Sequence, residues 1–398
     1  MARDSSGSSH HGRVILGIER NVAAVSAAMF IVGLGESLWT KFMPRYLQAL
    51  GAPAYAIGAY GTALDLLDGL YQYPGGWLGD RLGRRRALLL FVGVAIVGYL
   101  IYLSAPSWQI AIAGLVFVMA WASMASPTLF AVVGDALPRG RRAIGFTVQA
   151  LLKRVPLVIA PVAGGIVIER MGVTGGVRVL LCVTIVLAVT ALAAIRVVDL
   201  PLLPDERSTN ILSVWTSFPR DLRTLLAADV FARIAEGLVD VFLVIYATVI
   251  IGVSAAQFGV LVAVQSLTSM IVYLPAARIS DRGHVKPVVI ATFLAFAAFP
   301  LAVVLSADFT SLVFAFVVGG LREFGEPSRK SMIVDFAAPA IRARTVGLYY
   351  LLRSVTIAPS ALAGAFLWAR DPALPFHAAF AVGLVGAAVF TAAVRPPR

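Results

Sequence analysis

The sequence is poor in charge, in histidine and in cysteine, and each shortage excludes a class of function. Charged residues make up 14% of the 398 positions against 59% hydrophobic ones, which is too little polar surface to cover soluble domains of this length. A bilayer supplies an apolar solvent for outward-facing side chains, so the composition implies a membrane protein. The single cysteine, Cys182, lies in an apolar run and rules out an intrachain disulfide or a Cys-based metal site. The four histidines (His10, His11, His284 and His377) are too scattered for a metal cluster. No His-Glu-x-x-His, nucleophile elbow or phosphate-cradling Gly-Lys-Ser loop occurs either. The sequence therefore predicts no enzyme, no cofactor and no ATP-driven pump unless a partner brings the ATPase. Acids are scarcer than bases, and the net charge is +12. The arginines fall in short clusters between apolar stretches, the pattern of membrane-protein loops rather than of a nucleic-acid-binding face.

What the chain has in abundance is long apolar runs, each sufficient at ~1.5 Å per residue to cross a ~30 Å hydrocarbon core. Twelve are expected: 21–47, 54–77, 86–104, 108–134, 143–168, 176–198, 224–251, 255–278, 286–306, 309–335, 344–368 and 373–394. Breakers such as Gly51-Ala52-Pro53, Ala105-Pro106, Pro138-Arg139-Gly140 and Asp371-Pro372 stand between them. The first run is too long for a secretory signal and carries Glu36 in its middle, so it reads as a spanning helix. Residues 1–20 read as a polar tail and 199–223 as a linker with a short amphipathic stretch, dividing the chain into 21–198 and 224–398. Nearly all loop arginines and lysines fall on the side of both termini and this linker. That places the side in the cytoplasm of a bacterial-type inner membrane and requires an even number of spans.

Shifting the sequence by 200 or 201 positions superimposes unusual residues: Glu36 on Glu236, Phe42 on Phe242, Tyr46 on Tyr246, Gly58 on Gly259, Pro74 on Pro275, Asp80 on Asp281, Arg81 on Arg282, Pro127 on Pro327 and Asp135 on Asp335. Arg142 and Gly145 then match Arg344 and Gly347. Shared acids and prolines are not what chance produces in apolar sequence. The fold class read here is an all-α membrane protein of twelve transmembrane helices in two six-helix bundles, related by a pseudo-twofold repeat.

The loop after the second span reads Gly75-Gly76-Trp77-Leu78-Gly79-Asp80-Arg81-Leu82-Gly83-Arg84-Arg85-Arg86. It resembles the Gly-x-Leu-x-Asp-Arg-x-Gly-Arg-Arg signature of the major facilitator superfamily, and the span count and repeat agree with that resemblance. The resemblance implies transport by alternating access, with Asp80 pairing with the cytoplasmic end of the eleventh span and Arg84 with Asp135. Gly76, Asp80, Arg81, Gly83, Arg84, Arg85 and Asp135 would then form a latch intact only when the cytoplasmic side is closed. Asp281, Arg282 and Asp335 are its counterparts in a second copy that lacks Gly-Arg-Arg. Pro156, Pro161, Gly164 and Gly165 in the fifth span resemble a reduced antiporter motif, and close helix packing explains them equally. The buried fourth-span arginine of many drug antiporters is absent.

Charges inside the spans carry the functional reading. At ~2.5 kcal/mol or more each on a lipid-facing helix, the set would cost far more than a typical stability of ~5–15 kcal/mol, so these groups must face one another or water. Asp65 and Asp68 are three residues apart, and Glu236 and Asp240 four, so each pair shares a helix face. Two carboxylates so close in a low-dielectric cavity repel, which suits proton coupling; Glu36 lies ~15 Å deep and joins them as a candidate. Lys153, Arg154 and Arg353 leave two readings open: a clamp for an organic anion, or neutralisation of nearby carboxylates. Arg322, Glu323, Glu326, Arg329 and Lys330 read as an ion network along the tenth span, with structure favoured over function. The expected function is proton-coupled export of a small amphipathic solute by a monomer in the lipid bilayer. The alternative is an organic-anion uniporter or exchanger. A non-transporting receptor on the same scaffold would not need paired titratable groups at mid-depth.

Overall fold

The computed structural model describes residues 20–126, 142–196, 215–216, 218–336 and 342–394. The expected tail, Asp135 and most of the linker lie outside the described residues, as do the side chains of Asp80, Lys153 and Asp281. The described residues are helical throughout, with no strand.

The first half comprises α1 (Arg20–Trp39, continued by a 3₁₀ turn Thr40–Phe42 and by Met43–Ala49), α2 (Ala54–Leu82), α3 (Arg84–Ser104), α4 (Trp108–Met119, then a π turn Ala120–Met124), α5 (Arg142–Met171) and α6 (Val173–Arg196). The second comprises α7 (Arg220–Gly237, then Asp240–Ile245 and a π turn Tyr246–Ile251), α8 (Ala255–Asp281), α9 (Val285–Val304), α10 (Phe309–Leu321, then Glu326–Phe336), α11 (Arg342–Ile357, then Pro359–Trp368) and α12 (Leu374–Ala393). A helix is described within each of the twelve expected spans, the fourth only as far as residue 126. Among the described residues, seven helices are by themselves long and apolar enough to cross a membrane, while the described part of α4 is apolar but shorter.

Local chemistry sets the boundaries. Pro53 is extended (φ −72°, ψ 164°) and starts α2. Ser254 with Gln257 and Asp308 with Ser311 form reciprocal capping boxes that start α8 and α10. α7 begins four residues ahead of its apolar run, at Arg220, because extended Pro219 precedes it and Leu222, Leu225 and Leu226 are already buried. The stretch Arg220–Arg223, expected in the linker, is therefore helix.

The repeat extends to backbone angles. Trp39 (φ −125°, ψ −22°) breaks α1 where Val239 (φ −120°, ψ −23°) breaks α7, two hundred positions on. Gly51 and Gly252 both have φ +86°, and Gly83 and Gly283 have +81° and +89°. Side chains rarely adopt that region, so these turns need glycine twice over.

Two seams join the halves, α2 against α11 and α5 against α8, and the repeat exchanges one for the other. Gly58 in α2 lets Ala361 and Ala365 approach, while its counterpart Gly259 in α8 does the same for Pro161 and Val162. Phe42 of α1 meets Phe258 of α8 edge-on at 5.6 Å beside the second seam. These contacts lie at the end away from the arginine-rich loops, which is sealed. Toward the arginine-rich end cross-half contact thins: Gly347 faces open space, and Tyr73 and Ile271 are exposed.

One charged contact closes the sealed end. Glu169 at the end of α5 accepts from the Ser254 hydroxyl (2.6 Å) and the Ala256 backbone N–H (3.1 Å), thereby capping α8 from the other half. The Ser254 bond first, then the Ala256 bond, hold its carboxyl below the ordinary 4.5, with Arg170 as the charged neighbour. The latched carboxyl binds a proton less readily than the released one. Its contribution is thus fully present above pH 4.5 and is lost as the pH falls below that value. Glu169→Ala is expected to weaken the seal at neutral pH, lengthening the distance between spin labels at Met171 and Val249 in a Cys182→Ser background. An unchanged distance distribution would show that apolar packing alone closes this end.

Candidate functional site

Between the halves, at mid-depth, lies a cavity of about 110 Å³ whose walls include Gly61 and Asp65 of α2, Arg233, Glu236 and Asp240 of α7, and Ala361 of α11. α7 supplies most of the charge because it is interrupted there. The break at Leu238–Val239 separates Glu236 from Asp240, so the single helix face expected for that pair does not form. Glu236 turns into its own half, accepting from Arg233 (2.8 Å) and Arg322 (3.1 Å). Asp240 instead reaches Lys41 of α1 across the cavity at 3.5 Å, with both side chains nearly half exposed.

Behind Glu236 the second half holds a continuous ion network. At its centre is Asp229, a buried residue of α7 absent from the sequence-based candidates. Arg329 bonds Asp229 with one nitrogen and Glu326 with the others (2.7 and 3.0 Å). Tyr349 donates to Asp229 (3.1 Å), and Arg353 lies 3.6 Å from it. Arg233 reaches Glu326 at 3.4 Å, and Lys330 reaches it at 3.3 Å from an exposed position. Arg322 lies over the Phe299 ring at 4.5 Å. The ladder expected along α10 differs in form, since the helix opens at residues 322–325 and Arg322 points to α7 rather than to Glu326. The amide of Gly325, freed by that opening, donates to Thr292 of α9. The sequence carried one sign of Asp229, its spacing of four residues from Arg233.

The first half is held differently. Glu36 accepts from Tyr99 (2.6 Å), Asp68 from Ser123 (2.6 Å), and Trp39 donates to Thr184 (3.2 Å), all without a cation. Arg154 lies 3.3 Å from Glu323 across the seam and 4.8 Å from the Tyr273 ring centre. Arg154 and Arg353 thus each face a carboxylate rather than each other. Asp65 has Asp240, Glu236, Asp68 and Arg353 as its charged neighbours, and it makes no hydrogen bond or ion pair among the described residues.

In the signature loop, Gly76 is half-buried, Gly83 turns the chain into α3, Arg84 is buried, and Arg81, Arg85 and Arg282 are exposed. Arg81 stacks on Trp77 at 5.0 Å, and Asp335 accepts from Ser331. The partners expected for this latch involve Asp80, Asp135 and Asp281, whose side chains lie outside the described residues.

No curated protein matches the sequence. Among solved structures, a POT family transporter in complex with 5-aminolevulinic acid is similar, with TM-score 0.78, 13% identity and 96% of each chain covered. The nucleoside transporter NupG, as a point mutant, has TM-score 0.75 at 12% identity, covering 94% of this chain and 99% of that one. The human organic anion transporter MFSD10 has TM-score 0.67 at 17% identity, covering 93% and 99%. At such identities the likeness is one of fold alone. The model of the Major Facilitator Superfamily, however, matches residues 25–228 and again 225–398. With twelve helices, a doubled backbone and a charged cavity on the seam between the halves, the chain belongs to the major facilitator superfamily, as a secondary transporter.

Proposed function

We propose that the protein is a proton-coupled exporter of a small amphipathic solute, in which Asp65 takes up and releases the coupled proton. Asp65 carries the reading: it is the cavity carboxylate without a hydrogen-bond partner, and acids surround it. A carboxylate fixed by an arginine has little reason to exchange its proton, whereas one beside other acids has reason to hold it in one state and shed it in another. Because α2 and α11 separate when the seam opens, Asp65 changes surroundings with each half-cycle. The arginine-rich loops face the cytoplasm of a bacterial-type inner membrane, and the halves, divided over 199–223, rock as a monomer. The anion reading finds less support, because Arg154 and Arg353 are both engaged with carboxylates.

A thermal-shift screen across solute classes at two pH values identifies a ligand, and its flux is then followed in proteoliposomes. An imposed pH gradient is expected to drive that flux, and Asp65→Asn to reduce the gradient-driven part at least about tenfold, a change of ~1.4 kcal/mol. Flux indifferent to the gradient, or unaffected by Asp65→Asn, refutes the reading.

A further inference from the structure

The guanidiniums described near the cavity all face carboxylates, although the Nε groups of Arg233 and Arg353 have no hydrogen-bond partner among the described residues. Arg233 serves Glu236 and Glu326, Arg322 serves Glu236, Arg353 faces Asp229, and Arg154 faces Glu323. The wall itself contributes three carboxylates, Asp65, Glu236 and Asp240, against the single guanidinium of Arg233. An anion entering this space would have to strip an arginine from a buried partner, leaving that carboxylate uncompensated. A cation would meet Asp65, which makes no hydrogen bond or ion pair among the described residues and has Arg353 as a basic neighbour, and Asp240 through a loose 3.5 Å pair.

A second observation marks the same spot. Ser360 of α11 is 6% exposed, and its buried hydroxyl has no hydrogen-bond partner among the described residues. Its oxygen and the Asp65 carboxylate converge on the bare face of Gly237, a wall residue. A buried hydroxyl left unpaired is costly unless something completes it. An ammonium group seated on Asp65 can donate to that oxygen. The rest of the wall is apolar, with Leu64, Val241 and Ile357, and suits a hydrocarbon body.

We propose that the transported solute is an organic cation, an ammonium group on an apolar body, seated on Asp65 with Asp240 beside it. The inference rests on the proton-coupled reading in one respect, that solute and proton share Asp65. Binding then converts the carboxylic acid to a carboxylate paired with the cation and releases one proton to water.

The test uses the full chain purified in detergent at pH 7 in weak buffer, with benzylammonium and 2-phenylethylammonium as cations and benzoate and naphthalenesulfonate as anions. The cations are expected to raise the melting temperature and to acidify the medium, and the anions to do neither. Asp65→Asn is expected to lower cation affinity about tenfold or more and to abolish proton release. Asp65→Glu keeps both effects, and Asp240→Asn weakens binding less and keeps the release. Stabilisation by the anions alone, by none of the four probes, or by cations equally in wild type and a folded Asp65→Asn protein overturns the proposal. Cation binding that displaces no proton leaves the charge preference standing and removes the coupling. Gradient-driven flux of an anion does the reverse.

Discussion

Arg329→Met is expected to cost about 3–5 kcal/mol of stability, the loss typical when one partner of a buried ion pair is removed. Arg329 is 1% exposed and gives its nitrogens to Asp229 and Glu326, themselves 1% and 9% exposed at the side chain. Without it both carboxylates keep their desolvation cost and lose most of the compensation, although Arg233, Arg353 and Lys330 remain near. Against a total stability of ~5–15 kcal/mol, that leaves a small margin. The measurement is the melting temperature in detergent, where a fall of about 4–6 °C is expected. The double variant Asp229→Leu with Arg329→Met removes both central charges together. It should recover part of the loss, because the orphan rather than the missing attraction is the main penalty. A single variant as stable as wild type, or a double variant worse than the two singles added, would falsify this account of the network.

The second large effect concerns motion rather than stability. Gly165 of α5 lies so close to Ala255 and Ala256 of α8 that a Cβ there would meet main-chain atoms, which cannot move aside as a side chain can. The clash exists only while the end away from the arginine-rich loops is closed, so Gly165→Leu should disfavour that state alone. Overpacking of this kind costs ~1–3 kcal/mol, shifting the ratio of closed to open by ~5- to 150-fold. Alternating access needs both states, so flux should fall by a similar factor. The same labels at Met171 and Val249 should report a longer mean distance. Gly93→Ala is the control, since nothing lies within 4 Å of the methyl it would add. Undiminished flux in Gly165→Leu would mean that this seam is not part of the cycle.

The sequence and structure agree where physics is local. Apolar run lengths, Pro53, the capping serine Ser254 and the offset of two hundred residues are properties of short segments, and all twelve helices follow from them. Gly58 and Gly259, matched in sequence, sit where backbones meet across the halves, a role that the offset by itself did not assign. The site was legible in residue type but not in pairing. Glu236 and Asp240 share a face only on an unbroken helix, and Gly237 was the one breaker-type residue beside the break at Leu238–Val239. Arg353 and Arg154 occupy matching depths, yet each finds a carboxylate from another helix, a relation fixed by helix rotation about its axis. Asp229 matters because α10 and α11 bring Arg329, Tyr349 and Arg353 to it. Those partners lie at least a hundred positions away in the chain.

Two bundles with the same backbone are thus fastened by different means. Among the described residues, charged bonds tie α7, α10 and α11 to one another, while Glu36–Tyr99 and Trp39–Thr184 tie α1 to α3 and α6. Charged bonds across a low-dielectric interior weaken when water or a counter-charge enters, whereas a neutral bond does not. The doubled architecture is even in geometry and uneven in chemistry, so salt and pH bear on one bundle more than on its twin.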